Sequence, residues 1–352
     1  MGELLLITDD LRRAQRLTRN LGTATTGAIH DLYGDTLPVS RPKLIVSDVE
    51  ALTSDAIVRL RRVLEQVRDE GVPYLFLVHG NVARAEAHAQ VLDANGTLSA
   101  NASVQQLLAT LGHIQVQMRP IPAAVRERAV KARQFLRQVL LSGRPITPAV
   151  TEIGTDLVVR AVSESGIYDW IRAVQQFDDA THQHCLLVAS LAAAFSAALG
   201  LREADRHRLT KAALLHDVGK IHVPTEILNK PGKLTEAETA VMRTHPARGH
   251  AMLVGQGFED TMLAAVRSHH ELLDGTGYPD RLKGRKIPDL VRLVTVCDIY
   301  GALVERRSYR PPMAGLQAYA ILKGMEGHLD VDLVHAFHPV AVAFDPSVPN
   351  VA

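Results

Sequence analysis

The chain has 352 residues, of which 47% are hydrophobic and 22% charged, and its formal net charge is +1. That length accommodates two domains with ordinary cores, and the near balance of charge gives no basis for binding nucleic acid or an anionic membrane. Two cysteines, Cys185 and Cys297, exclude a secreted disulfide framework. MGELLLITDD has no signal-peptide pattern and no apolar run reaches the ~20 residues of a membrane span, so a cytoplasmic protein is expected.

Residues 1–118 alternate short apolar runs with amphipathic segments. Leu4-Leu5-Leu6-Ile7 ends at Asp9-Asp10, Lys43-Leu44-Ile45-Val46 ends at Asp48, and Tyr74-Leu75-Phe76-Leu77-Val78 follows Pro73. Between them, 11–21, 54–70 and 82–94 have helical apolar spacing. Buried strands alternating with helices predict an α/β doubly wound domain on a parallel sheet, with carboxylates at the strand ends where ligands usually bind. This domain resembles the response-regulator receiver. The resemblance implies Asp9 and Asp10 as the acidic pair and Asp48 as a candidate phospho-acceptor. The chain departs from the pattern by carrying Val78-His79 in place of the receiver's Ser or Thr, and Thr97-Leu98-Ser99-Ala100 in place of its Lys. A degenerate receiver used for dimerisation or partner docking is therefore expected.

Residues 119–150 read as a linker helix, with Pro120, Pro122, Pro145 and Pro148 bracketing a helical run from about Ala123 to Leu141. From Thr151 onward the spacing predicts helices at 151–162, 167–176, 181–199, 203–216, 235–255, 259–270, 289–304 and 315–326. Residues 151–344 thus form an all-α bundle, with an irregular tail over 345–352.

The bundle carries the chemistry. His216-Asp217 precedes Val218-Gly219-Lys220, and His245, His269-His270 and Asp298 follow. Neutral imidazoles and ionised carboxylates drawn from separate helices suit first-row divalent metals, and one Asp can bridge two of them. Gly219 suits a helix end or a tight approach, and His245 before Pro246 suits a helix start. Asp298 falls in the apolar helix 289–304, where an unpaired carboxylate is costly and a metal would relieve the cost.

The runs HDVGKIHVPTEILNKPGKL and HHELLDGTGYP, with HP between them and Asp298 beyond, resemble the HD-GYP family of HD-domain phosphohydrolases, which cleave cyclic di-GMP. The resemblance covers roughly 150–340. Upstream, Asp178, Thr181 and His184 meet the family's D-x-x-T-x-x-H pattern. The implied metal ligands are His184, His216, Asp217, His245, His269, His270 and Asp298, with Asp217 as the bridge. Two divalent transition metals, iron or manganese foremost and nickel, cobalt or zinc as alternatives, would share a bridging hydroxide for attack on the phosphodiester. Lys220 resembles a family lysine that contacts the scissile phosphate, Arg307 and Arg310 match basic substrate contacts, and Gly277 and Tyr278 would line the pocket. Partners implied are cyclic di-GMP, a diguanylate cyclase or other signalling protein, and a second copy of the chain.

Two departures refine this expectation. Family members with three metals carry Glu four residues before the first His, where this chain has Ala180, so a dinuclear site and a single cut to linear pGpG are expected. Gly301 replaces an Asp whose loss would alter metal affinity or geometry from outside the ligand set. Two other functions stay open: a cyclic-dinucleotide-binding or docking module without turnover, and a hydrolase of another nucleotide such as cyclic GMP-AMP. Glu271 is expected to pair with a nearby base. His182, His222, His250 and the remaining histidines, His79 among them, are read as structural, and Cys297 as packing.

Overall fold

The apolar runs of the N-terminal region form strands, and the segments between them form helices. In chain order these are β1 (Leu4–Thr8), α1 (Leu11–Leu21), β2 (Gly27–Asp31), β3 (Leu44–Asp48), α2 (Ser54–Val67), β4 (Tyr74–Val78), α3 (Val82–Val91), β5 (Gly96–Ser99) and α4 (Val104–Met118). This is a computed structural model, and the residues it describes are all except 1–3, 22–26, 37, 39–40, 70, 142–143, 178–179, 306–312 and 345–352. The strands pair in parallel in the order β2-β1-β3-β4-β5. Alternate strand side chains point to opposite faces. Leu5, Ile7, Ile45, Tyr74 and Phe76 pack under α2 and α3, whereas Leu4, Leu6, Leu44, Val46, Leu75 and Leu77 pack under α1 and α4. The chain reverses direction across the sheet between β1 and β3, and Thr8 lies level with Asp48 there. Asp9 and Asp48 consequently stand side by side at the crevice where doubly wound sheets bind ligands.

The chain divides into two compact units, Met1–Pro120 and Ile121–Ala352. The second opens with α5 (Ala123–Leu141), the helix expected as a linker. Its Val125, Ala129, Ala132 and Leu136 are buried in the same core as Trp170, Phe195 and Tyr300, so it is an integral wall of this unit. After it come α6 (Pro148–Ser165), α7 (Ile167–Val174), α8 (Ala180–Ala198) and α9 (Glu203–Leu215). A 3-10 turn at Val218–His222 leads to α10 (Thr225–Leu228), α11 (Glu236–Met242), α12 (His245–Leu253) and α13 (Asp260–Ser268). The unit closes with α14 (Asp289–Val304), α15 (Gly315–Lys323), α16 (Val331–Ala336) and α17 (His338–Phe344). The single helix expected over 235–255 is two helices. The chain turns at Thr244, because Pro246 has no N–H to continue the ladder and is tolerated only in a first turn. The expected tail, 345–352, lies outside the described residues.

Candidate metal centre

The side chains facing this centre are delivered mostly by helix ends. Helix α9 stops at Leu215, so His216 and Asp217 occupy its C-terminal boundary, and the 3-10 turn that follows is closed by the Lys220 N–H donating to the Asp217 carbonyl at 2.9 Å. Gly219 lets this turn lie directly on α12, since a Cβ there would sit 2.0 Å from the His245 carbonyl oxygen. Helix α11 ends at Met242 and α12 begins at His245; α13 ends at Ser268, leaving His269 and His270 at its exit. The Thr295 hydroxyl donates to the His269 carbonyl at 2.8 Å, fixing this exit against α14, whose buried face presents Asp298.

Three of the imidazoles are oriented by one device. The last carbonyls of a helix lack intrahelical partners. Here they accept Nδ1–H bonds: His216 donates to Ala213 at 2.6 Å, His245 to Met242 at 2.7 Å and His269 to Val266 at 2.9 Å. Each ring thereby turns its Nε2 inward as an electron-pair donor, the arrangement metal-binding histidines require. Two ligand groups result, one of Asp217, His245, His269 and His270 and the other of His184, His216 and Asp298; within each, the donor atoms lie within 4.8 Å of one another.

Asp217 stands between the groups. Its Oδ1 is 3.1 Å from His245 Nε2 and 3.7 Å from His269 Nε2; its Oδ2 is 3.3 Å from His216 Nε2 and 3.6 Å from His184 Nε2. Asp298 places Oδ1 3.0 Å from His184 Nε2 and Oδ2 3.5 Å from His270 Nδ1. Burial alone would push both carboxyls up, but the surrounding imidazoles, with Lys220 beside Asp217, hold both well below the usual carboxylate range. Burial pushes His269 down to about 4 and His270 far below its ordinary value, so both are neutral near pH 7. His184 is held up, at about 9 despite burial, by Asp298 and Glu305. His216 Nε2 and Asp217 Oδ1 are buried without a well-formed hydrogen bond. Inward-facing imidazole nitrogens, two of them on the neutral rings of His269 and His270, together with ionised carboxylates and orphaned buried polar atoms, fit a pair of divalent transition metals and are badly satisfied without one. Bound there, such ions would supply Lewis acidity and an activated water.

The ammonium of Lys220 touches Asp217 Oδ2. Burial opposes its charge, but Asp217 raises its pKa above the ordinary lysine value. On another side, the Tyr278 ring stacks on His270 at 4.7 Å between centroids, and the Arg243 guanidinium lies 5.0 Å over the same ring. Gly277 allows its loop to run against the 270–272 backbone, where a Cβ would come within 2.5 Å of the His270 carbonyl oxygen. Glu271 is buried, and its partners are backbone amides rather than the basic side chain expected: it accepts from Asp280 N at 2.6 Å and Leu282 N at 2.9 Å, pinning the loop that carries Tyr278. At Gly301 a side chain would meet Val188 and Leu191 of α8, so this glycine serves a close helix contact. His182 belongs to neither ligand group. Asp178, Arg307 and Arg310 lie outside the described residues.

In the α/β unit Asp48 is buried and both its oxygens are engaged. His79 Nε2 donates to Oδ1 at 2.7 Å and Arg13 Nε to Oδ2 at 2.8 Å. The same guanidinium bonds Asp9 at 2.5 Å and Glu50 at 2.9 Å. Asp10 lies at the edge of this cluster, its Oδ2 4.0 Å from the Arg13 guanidinium and its Oδ1 capping α1 through the amides of Arg12 and Arg13. Apart from the i,i+4 spacing of Asp9 and Arg13, nothing in the sequence pattern singles out Arg13, Arg243 or Glu305 for these contacts, and His79 was expected to be structural.

Residues 169–333 match the HD domain family. The chain is 37% identical over 161 residues to a cyclic di-GMP phosphodiesterase of Pseudomonas aeruginosa, covering 46% of this chain and 39% of that protein. It is 29% identical over 342 residues to the cyclic di-GMP phosphodiesterase response regulator RpfG of Xanthomonas campestris pv. campestris, covering 94% and 85% of the two chains. Over 125 residues it is 42% identical to a 3'3'-cGAMP-specific phosphodiesterase of Vibrio cholerae, covering 36% of this chain and 27% of that one. The chain thus spans well under half the length of the Pseudomonas and Vibrio relatives, and most of that of RpfG. Its helical unit is thus similar to the HD domain family, and relatives that it matches are named cyclic di-GMP phosphodiesterases.

Proposed function

We propose that the helical unit is a metal-dependent phosphodiesterase that hydrolyses cyclic di-GMP, chiefly to linear pGpG, on two divalent transition metals. The observation that carries this reading is the placement of Asp217, one oxygen toward His245 and His269 and the other toward His184 and His216. A carboxylate so shared can tie two ions into one centre, as in-line hydrolysis of a phosphodiester requires. Lys220 supplies a held positive charge beside that carboxylate, suited to a non-bridging phosphate oxygen. Tyr278, backed by His270 and Arg243, offers a flat wall for a base. Arg307 and Arg310 are the further phosphate contacts of this proposal. Ala180, one helical turn before His184, favours two ions over three and a single cut over two.

The substrate rests on kinship: relatives are named for cyclic di-GMP, and others for 3'3'-cGAMP, which makes the latter the second reading. The α/β unit is read as a receiver-like docking module whose Asp48 is spoken for by Arg13 and His79. The test is anaerobic metal loading of the full chain, followed by chromatography of products from each dinucleotide. The expected outcome is pGpG from cyclic di-GMP, with Asp217→Asn lowering the rate by more than about 100-fold, beyond what loss of a supporting residue outside the ligand set costs. A loaded wild type that cleaves neither dinucleotide overturns the enzyme reading, and preference for 3'3'-cGAMP replaces the substrate.

A further inference from the structure

The device that orients His216, His245 and His269 is not open to His184. Those three lie at or just past helix C-termini, where carbonyls are unclaimed. His184 lies inside α8, where the carbonyls of the preceding turn belong to the helix ladder. Its Nε2 faces Asp298 at 3.0 Å and Asp217 at 3.6 Å, as a ligand's should, but its Nδ1 needs another partner. The side chain facing that nitrogen is the carboxylate of Glu305, with Oε2 3.6 Å away. Glu305 is buried at 3% exposure, and its own N–H donates to the Gly301 carbonyl at 2.9 Å, so it is the C-terminal cap of the helix that carries Asp298. One helix therefore flanks His184 on both sides, with Asp298 at hydrogen-bond distance from Nε2 and Glu305 as the carboxylate next to Nδ1, a buried nitrogen with no hydrogen bond among the described residues.

We propose that Glu305 is the positioning residue of His184, the outer carboxylate of a carboxylate–imidazole–metal relay. Because it meets Nδ1, the nitrogen turned away from Asp217 and Asp298, it is not a substitute ligand for the carboxylate lacking at Ala180. It fixes the ring's tautomer and raises the basicity of Nε2. The inference rests on the reading that His184, His216 and Asp298 hold one of two ions. Helix-end carbonyls secure the imidazoles of His245 and His269 in the other group, so Glu305 controls the first group alone.

The test measures metal stoichiometry and affinity of the full chain, by elemental analysis and chelator competition, for wild type, Glu305→Gln, Glu305→Ala, His184→Ala and the Glu305→Ala/His184→Ala double variant. Glu305→Gln, close in size, guards against misfolding of the alanine variant, and circular dichroism monitors both. The expected result is two ions per wild-type chain, with one weakened about 10–100-fold in both Glu305 variants and the other unchanged. Glu305→Ala should add nothing once His184 is gone. A two-ion wild type whose folded Glu305→Gln variant keeps both affinities, or loses both equally, overturns the positioning role and leaves the dinuclear reading standing. A wild type without an ion in the His184 group removes both.

Discussion

Lys220 shows how a single side chain can face two tasks in this site. Its ammonium touches Asp217, so replacing it could act on metal retention or on catalysis. The two are separable, because the Nε2 atoms of four imidazoles also face Asp217 and would hold the same ions without Lys220. Lys220→Ala is therefore expected to retain both ions by elemental analysis while kcat falls about 10²–10³-fold, the range for removing one donor aimed at developing charge. A variant that loses metal in proportion to activity would reassign Lys220 to holding Asp217. Of the proposed ligands, His216, Asp217, His245, His269, His270 and Asp298 stood out at this scale as His and Asp in ordered motifs, whereas His184 came only from the resemblance to the HD-GYP family. Glu305 and His79 did not stand out. Each meets its partner through tertiary packing, Glu305 across α8 and α14 and His79 across neighbouring strands, and neither contact leaves a spacing in the sequence.

At the scale of elements, the loop from His270 to Leu282 is built around Glu271. One buried carboxylate accepts two amides, from Asp280 and Leu282, and so sets where Tyr278 stands relative to His270. Glu271→Ala leaves both N–H groups to find new partners, at a cost of about 1–3 kcal/mol for each that stays buried. The expected phenotype is a lower melting temperature and a raised KM with ion content intact, measured by calorimetry, steady-state kinetics and elemental analysis; a Glu271→Ala enzyme with wild-type KM would sink the loop's role in binding. Periodicity gave the helices of this unit well where they are long and apolar, α8 and α14 above all. It ran α11 and α12 together because both have helical spacing, although Pro246 marked the break. Strand β2, Gly27–Asp31, was not anticipated: it is an edge strand with mixed burial and so lacks the continuous apolar run of β1.

At the scale of the whole molecule, the question is whether chemistry at the sheet can influence chemistry in the bundle. The doubly wound order and the acidic strand ends were readable in advance, but the state of Asp48 was not, because it depends on where two donors from distant segments, Arg13 and His79, come to rest. The Arg13 guanidinium lies among Asp9, Asp48 and Glu50, neutralising charge that would otherwise call for a divalent cation. An aspartyl phosphate at position 48 would have to displace both Arg13 and His79 from a buried carboxylate. Incubation of the full chain with acetyl phosphate and Mg²⁺ is therefore expected to add no phosphoryl mass and to leave the hydrolysis rate unchanged. Arg13→Ala reverses the electrostatics. It leaves buried Asp48 with His79 alone and beside Asp9, which destabilises the α/β unit by at most about 3–5 kcal/mol in the absence of a counter-ion. The same three carboxylates then form a divalent-cation site, so added Mg²⁺ or Mn²⁺ should raise the melting temperature of the variant and not that of the wild type. If wild type takes up phosphate, or if Mg²⁺ stabilises wild type and variant alike, Arg13 is not the resident cation, and control of the enzyme by phosphorylation at Asp48 becomes the reading to pursue.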